Sequence, residues 1–240
     1  MTMNTTHPRH AYEANRARIA ALWGQARPIQ PGDAADLYLR GQGVAPPAGQ
    51  AAPWPEALRF HPALDYWDAP PGAPAELCGK HPALLAALSI NAPARGAPLA
   101  VHTVALQRIY LDSCGALAPV WAPIKLTGKD GPSRCAALRL APVAGRGASL
   151  GVAVGLVPAL RMGSACRMPV WAVLNAAALA HVHWPRGVDS LYVFLDADDP
   201  NQAAPGAELA RKAKACGVQV FTLFTCGHTD QAAPTISRFH

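Results

Sequence analysis

Asp196-Ala197-Asp198 stands directly behind the apolar run Ser190-Leu-Tyr-Val-Phe-Leu195. Two carboxylates one residue apart at the end of a strand repel each other. A divalent cation such as Mg²⁺, which prefers oxygen ligands and keeps several waters, offsets that repulsion most simply. Asp199 and Pro200 follow, so the same residues also read as a solvated acidic turn capping the next helix. On spacing alone both readings stand.

A second group of charges lies upstream. Lys125, Lys129, Arg134, Arg139 and Arg146 are interrupted by a single acid, Asp130. A loop-rich basic stretch suits contact with phosphates, which dominate nucleic-acid affinity and make it salt-dependent. A solvated surface with scattered charge is the plain alternative. Trp54, Trp67 and Trp121 offer stacking faces for single strands, although tryptophans beside prolines more often pack within a core or loop. His181-x-His183 and Cys226-x-His228 lack the paired spacing of a structural zinc site and read as isolated polar residues at element ends.

Composition bounds what these groups can belong to. Of 240 residues, 51% are hydrophobic and 15% charged, enough to bury a core and too apolar for a disordered tail. Lys+Arg 21 against Asp+Glu 15 leaves a net charge of +6, which permits a polyanionic partner without demanding one. The six cysteines include no C-x-x-C pair, which argues for reduced thiols in a cytoplasm. The apolar run Leu150–Leu160 contains Pro158 and falls short of the ~20 residues that cross a bilayer. The N-terminus shows no signal-peptide pattern. The expectation is a soluble, cytoplasmic protein with no membrane partner.

The elements that must position these residues fall into two styles. Much of the proline and glycine precedes residue 150. There the pattern predicts a helix over Tyr12–Trp23 and a short one after Asp33, with Asp33 as its N-cap. Val44–Pro55 reads as a surface loop. Strands are expected at Leu58–His61, Leu99–Gln107, Ala122–Leu126 and Ala137–Leu140, with a short segment around Pro82–Ile90. The remainder alternates regularly: strands Leu150–Val154, Pro169–Leu174, Ser190–Leu195 and Val218–Phe224, with helical stretches between them, the last over Ala203–Cys216. Near-continuous apolar strands alternating with helices predict a small, doubly wound, mostly parallel sheet behind an α+β region. Ligands of such sheets meet the C-terminal strand ends, here Val154-Gly155, Leu174-Asn175, Asp196–Asp198 and Thr225-Cys226.

The order of these segments resembles a Toprim domain, of the type carried with a primase-like N-terminal region in phages, plasmids and integrative elements. Leu150-Gly-Val-Ala-Val-Gly-Leu-Val-Pro-Ala-Leu160 is similar to the first motif, a strand ending in Glu-Gly before a helix. Pro169–Leu179 resembles the second strand and its small-residue turn, and Leu191-Tyr-Val-Phe-Leu-Asp-Ala-Asp198 the Asp-x-Asp motif. Cys226-Gly-His-Thr-Asp230 resembles the closing Gly-x-Asp stretch. Upstream, Trp23–Gly43, Leu58–Pro62, His81–Leu85 and Val101–Thr103 resemble the accompanying N-terminal region. The implied organisation is a primase-like α+β region over 1–147 and a Toprim-like α/β domain over 148–240.

One departure outweighs the matches. The resemblance implies a glutamate at the end of the first strand, acting as general acid or base beside the metal of the Asp-x-Asp pair. This chain has Val154, which can neither move a proton nor bind a cation. The expectation is a degenerate Toprim protein of a mobile genetic element, with Asp196 and Asp198 as its metal ligands and Mg²⁺ weakly bound or absent. It binds DNA, single-stranded by preference, or a replication protein, without catalysis. Two alternatives stay open: an active Mg²⁺-dependent primase, nucleotidyl transferase or nuclease recruiting Glu208 or Asp230 as its acid, and an interaction module or inhibitor with no DNA affinity.

Overall fold

The computed structural model describes residues 8–46, 54–69, 74–92, 100–143, 145–225 and 237–238. The chain divides into two units, Met1–Gln42 with Pro46–Ser133, and Gly43–Ala45 with Arg134–His240.

The first unit opens with α1, Pro8–Gln25. It runs longer at both ends than the predicted span because Pro8 suits a first helical turn and Ala-rich sequence propagates the helix. Arg27-Pro28 then takes extended backbone, and Arg27 and Phe60 exchange N–H···O bonds of 2.9 and 2.8 Å. Asp33 does stand at the N-cap of α2, Ala34–Gly41, but its side chain does not cap it. The carboxylate instead takes the Arg27 guanidinium at 2.6 and 2.7 Å and the Gln30 N–H at 2.7 Å.

Four antiparallel strands follow: β1 Leu58–Asp68, β2 Glu76–Ala92, β3 Ala100–Tyr110 and β4 Ile124–Leu126, each paired with its predecessor. The short segment expected around Pro82–Ile90 is in fact the central part of a 17-residue strand. Pro82 fits because the pairing of β2 with β1 slips beside it, between His61 and Leu64, so the ladder asks no N–H of it. The run Ala83-Leu-Leu-Ala-Ala-Leu88 is buried on both faces. Ile19 of α1 joins Leu64, Tyr66, Leu85, Leu106 and Tyr110 in one core layer, and α2 packs on β2. Val44 and Trp54, at either end of the expected surface loop, are buried.

In the second unit β5, Ala137–Arg139, precedes the alternating part: β6 Ala148–Val154, α3 Leu156–Cys166, β7 Val170–Val173, α4 Ala176–Leu179, β8 Val188–Asp196, a 3-10 turn Pro200–Gln202, α5 Ala203–Ala215 and β9 Gln219–Thr225, with β10 at Ser237–Arg238. The pairing order β9-β8-β6-β7 is parallel throughout, flanked by antiparallel β10 and β5. Leu150, Val152, Trp171, Val173, Leu191, Val193 and Leu195 meet Leu179, Leu209 and Ala213 on one face, while α3 packs on β6 and β7. Helices on both faces explain why β6, β7 and the later part of β8 read as unbroken apolar runs. The Ala-rich stretch after Asn175 forms only one turn of helix, because the chain turns inward to bury Val182 before Pro185.

Candidate functional site

The parallel strands all deliver their C-terminal ends to one rim of the sheet. Val154 is the last residue of β6 and pairs with Val173 at the end of β7. On its other side Ala153 pairs with Phe194, two residues before Asp196, so Val154 and Asp196 end neighbouring strands. The Val154 side chain is partly buried and packs on the apolar core. Gly155 turns the chain into α3 with φ +91°, a conformation that L side chains rarely adopt, and its N–H donates to Val173 O at 2.8 Å.

Asp196 ends β8 opposite Thr225 of β9. Its N–H donates to Gln202 Oε1 at 3.0 Å, and its Oδ1 accepts the Asp198 N–H at 3.0 Å. Gln202 is buried and passes its own Nε2–H to Asp199 Oδ2 at 3.1 Å. Asp199 also accepts Asn201 N–H and Nδ2–H at 3.0 and 2.9 Å, which caps the 3-10 turn. Those hydrogen bonds, from Gln202 first and then Asn201, hold the Asp199 carboxyl below the usual aspartate range. Asp199 is the cap, and Asp196 and Asp198 are held together at the strand end by an Asp-turn hydrogen bond.

Of the two substitute acids, Glu208 is engaged by basic neighbours on its own helix. Glu208, on α5, accepts Arg211 Nε–H and Nη2–H at 2.9 and 2.8 Å and lies 3.5 Å from Lys212 Nζ. The Arg211 hydrogen bonds hold its carboxyl down to about 2, a poor value for a group that must trade protons near neutrality. Asp230 and the Cys226–Asp230 stretch lie outside the described residues. Among the described residues no three His, Cys, Asp or Glu side chains converge as a metal-holding group.

The basic segment is divided between the two units. Lys125 and Lys129 belong to the first; Arg134, Arg139 and Arg146 belong to the second. Lys125 is drawn inward, donating to Trp67 O at 2.6 Å and Asp68 Oδ1 at 3.2 Å, with its Nζ 4.1 Å from the centre of the Tyr66 ring. Arg139 lies over Trp171 with its guanidinium carbon 4.6 Å from the ring, and burial pushes its pKa down. Lys129, Arg134 and Arg146 are exposed. Asp130 is not a stray surface acid: its side chain is 1% exposed and takes Arg16 at 2.7 and 3.2 Å and His102 at 2.8 Å.

The three tryptophans also separate. Trp54 is no stacking face, being buried with its Nε1–H on Asp36 at 2.8 Å. Trp67 and Trp121 are 42% and 90% exposed. Arg18 and Arg108, which line the same cavities as Trp67, were not singled out by sequence. Arg108 sits mid-strand in β3, where nothing in the local pattern distinguishes it. No described helix is long and apolar enough to cross a membrane.

The comparisons with known proteins agree with this geometry. A family model described as a domain of unknown function (DUF7146) matches residues 13–138, and one described as a Toprim domain matches residues 149–232. A solved structure of the DnaG primase catalytic domain bound to ssDNA is similar at a TM-score of 0.58 and 12% identity, over 91% of this chain and 76% of that one. A DNA primase domain from Pseudomonas aeruginosa is similar at 0.52 and 13%, over 90% and 72%. The E. coli primase catalytic core is similar at 0.54 and 12%, over 91% and 73%. At such identities these likenesses establish a shared primase-core fold and nothing finer. No curated protein matches the chain in sequence. With the DUF7146 model spanning more than half of its residues, the chain belongs to that family of unknown function, and it carries a Toprim domain behind the matched region.

Proposed function

We propose that this chain is a nucleic-acid-associated protein of a mobile genetic element whose Toprim unit binds DNA, single strands by preference, without cutting or polymerising it. The observation that carries the reading is Val154. It stands at the end of β6 beside the strand that ends in Asp196, where phosphodiester chemistry needs a side chain that can take or give a proton. Glu208 does not fill that role while Arg211 and Lys212 engage it, which weighs against an active enzyme with a relocated acid.

Asp196 and Asp198 are hard oxygen donors, and the Asp198 N–H on Asp196 Oδ1 holds the two together. That set suits a hydrated Mg²⁺ held by two carboxylates and water. The cation would supply neutralising charge for a phosphate at the rim. Two carboxylates alone hold it weakly, so metal serves binding here and not catalysis.

Fluorescence anisotropy with labelled single- and double-stranded DNA over a salt series tests the reading. We expect tighter binding to the single strand. With about three phosphates neutralised, single-strand affinity should fall roughly twentyfold between 50 and 200 mM salt. Absence of binding even at low salt would overturn the proposal in favour of a protein-interaction module.

A further inference from the structure

Within the first unit, two adjoining cavities of about 320 and 180 Å³ share three lining residues, Arg18 of α1, Trp67 of β1 and Arg108 of β3. Thr127 and Gly128 are among the other residues lining the first, and Lys80 and His61 among those lining the second. Asp65, the acid that lines the second, is engaged by Lys80 at 3.3 Å, so the guanidiniums of Arg18 and Arg108 are not neutralised by it. Arg18 is exposed and forms no ion pair among the described residues. Arg108 donates to Tyr110 Oη at 3.2 Å through Nη1 and to Leu126 O at 3.1 Å through Nη2, which fixes its plane and uses only one hydrogen of each Nη. A fixed guanidinium keeps its remaining Nη–H groups in one plane, a geometry that suits an anion accepting from them.

Trp67 supplies the other half of the chemistry. Its indole is 42% exposed at the cleft, while its backbone carbonyl is anchored by Lys125 Nζ at 2.6 Å. A large aromatic face on anchored backbone, bordered by two cations, matches a flat heterocycle joined to a phosphate. The larger cavity has room for one such unit. Bases stacked and paired in a duplex have no free face to offer an indole.

We propose that this cleft is a nucleotide subsite, in which an unpaired base stacks on Trp67 and Arg18 and Arg108 hold its phosphate. The inference deepens the nucleic-acid reading above and rests on it, placing a single-strand contact in the unit that does not carry the aspartates.

The test measures anisotropy of a labelled oligothymidylate of about a dozen nucleotides, and of a labelled duplex, with the full chain and three variants. Trp67→Ala should weaken single-strand binding about tenfold and leave duplex binding within about twofold. Trp67→Phe, which keeps a stacking face, should stay within about threefold of the parent, and this separates stacking from a folding defect. Arg18→Glu should weaken single-strand binding at least about tenfold and lower the salt slope by about one. Competition by free dTTP at micromolar concentration assigns the subsite to a free nucleotide, and absence of competition assigns it to the strand; either result supports a nucleotide subsite. Parental affinity in Trp67→Ala and Arg18→Glu overturns the subsite and leaves the wider function standing. A parent chain that binds no DNA overturns both.

Discussion

Replacing Asp36 with alanine is expected to lower the stability of the first unit by about 3 kcal/mol. Asp36 is 2% exposed and accepts three donors: Gly32 N–H at 3.0 Å, Trp54 Nε1–H at 2.8 Å and Arg40 Nε–H at 2.9 Å. Arg40 is half-exposed and returns to water. The indole N–H of Trp54, itself buried, has no such escape, and an orphaned buried donor costs about 1–3 kcal/mol. The Gly32 N–H adds a smaller part. Calorimetry or circular dichroism should register a fall in Tm of roughly 10 °C, and a loss under about 2 °C would contradict the network.

The same carboxyl sets the acid limit of the fold. Burial pushes the Asp36 pKa up, but the hydrogen bonds from Gly32, Trp54 and Arg40 outweigh it and hold the group below the usual 3.8. At Asp130 burial is likewise outweighed, by Arg16 and His102, and the direction is again downward. A depressed carboxyl contributes stability that is present above its unfolded value and is lost as pH falls through the folded one. Stability should therefore decline below about pH 4, and Asp36→Ala should flatten that decline.

Gly151→Val is expected to cost about 3 kcal/mol in the second unit, although strand propensity alone favours valine by up to about 1 kcal/mol. A Cβ at Gly151 would lie 2.7 Å from the Phe194 ring and 2.7 Å from Val170 Cγ2. Both neighbours are buried, at 3% and 2%, and β6, β7 and β8 are hydrogen-bonded on both sides of the site. Neither neighbour can withdraw cheaply, so overpacking wins over propensity. A variant as stable as the parent in urea would show that the parallel strands are not packed as described.

The parallel sheet was legible because β6, β7 and β8 carry apolar runs bounded by glycine or a polar cluster, while β9, interrupted by Thr222, follows a helix that stops at Gly217. The long β2 was not, since Gly79, Lys80 and Pro82 look like a break until the slipped pairing with β1 is known. Asp196 and Asp198 were legible by their place at a strand end. The fates of Trp54, Asp130, Lys125 and Arg139 were not, because each is decided by a partner far along the chain: Asp36 lies 18 residues from Trp54, Arg16 lies 114 from Asp130, and Asp68 lies 57 from Lys125. Composition gives a charge but not the residue that will neutralise it. The nucleotide cleft needs α1, β1 and β3 to converge, and its residues carry no shared spacing.

What decides between a binding protein and an enzyme is product formation by the unaltered chain. Primed and unprimed single strands, end-labelled and incubated with ribonucleotides, deoxyribonucleotides and Mg²⁺ or Mn²⁺, should on the proposed reading of Val154 emerge at their original length, with no primer made. New or shortened strands that appear only with metal, and vanish in Asp196→Asn, would contradict this.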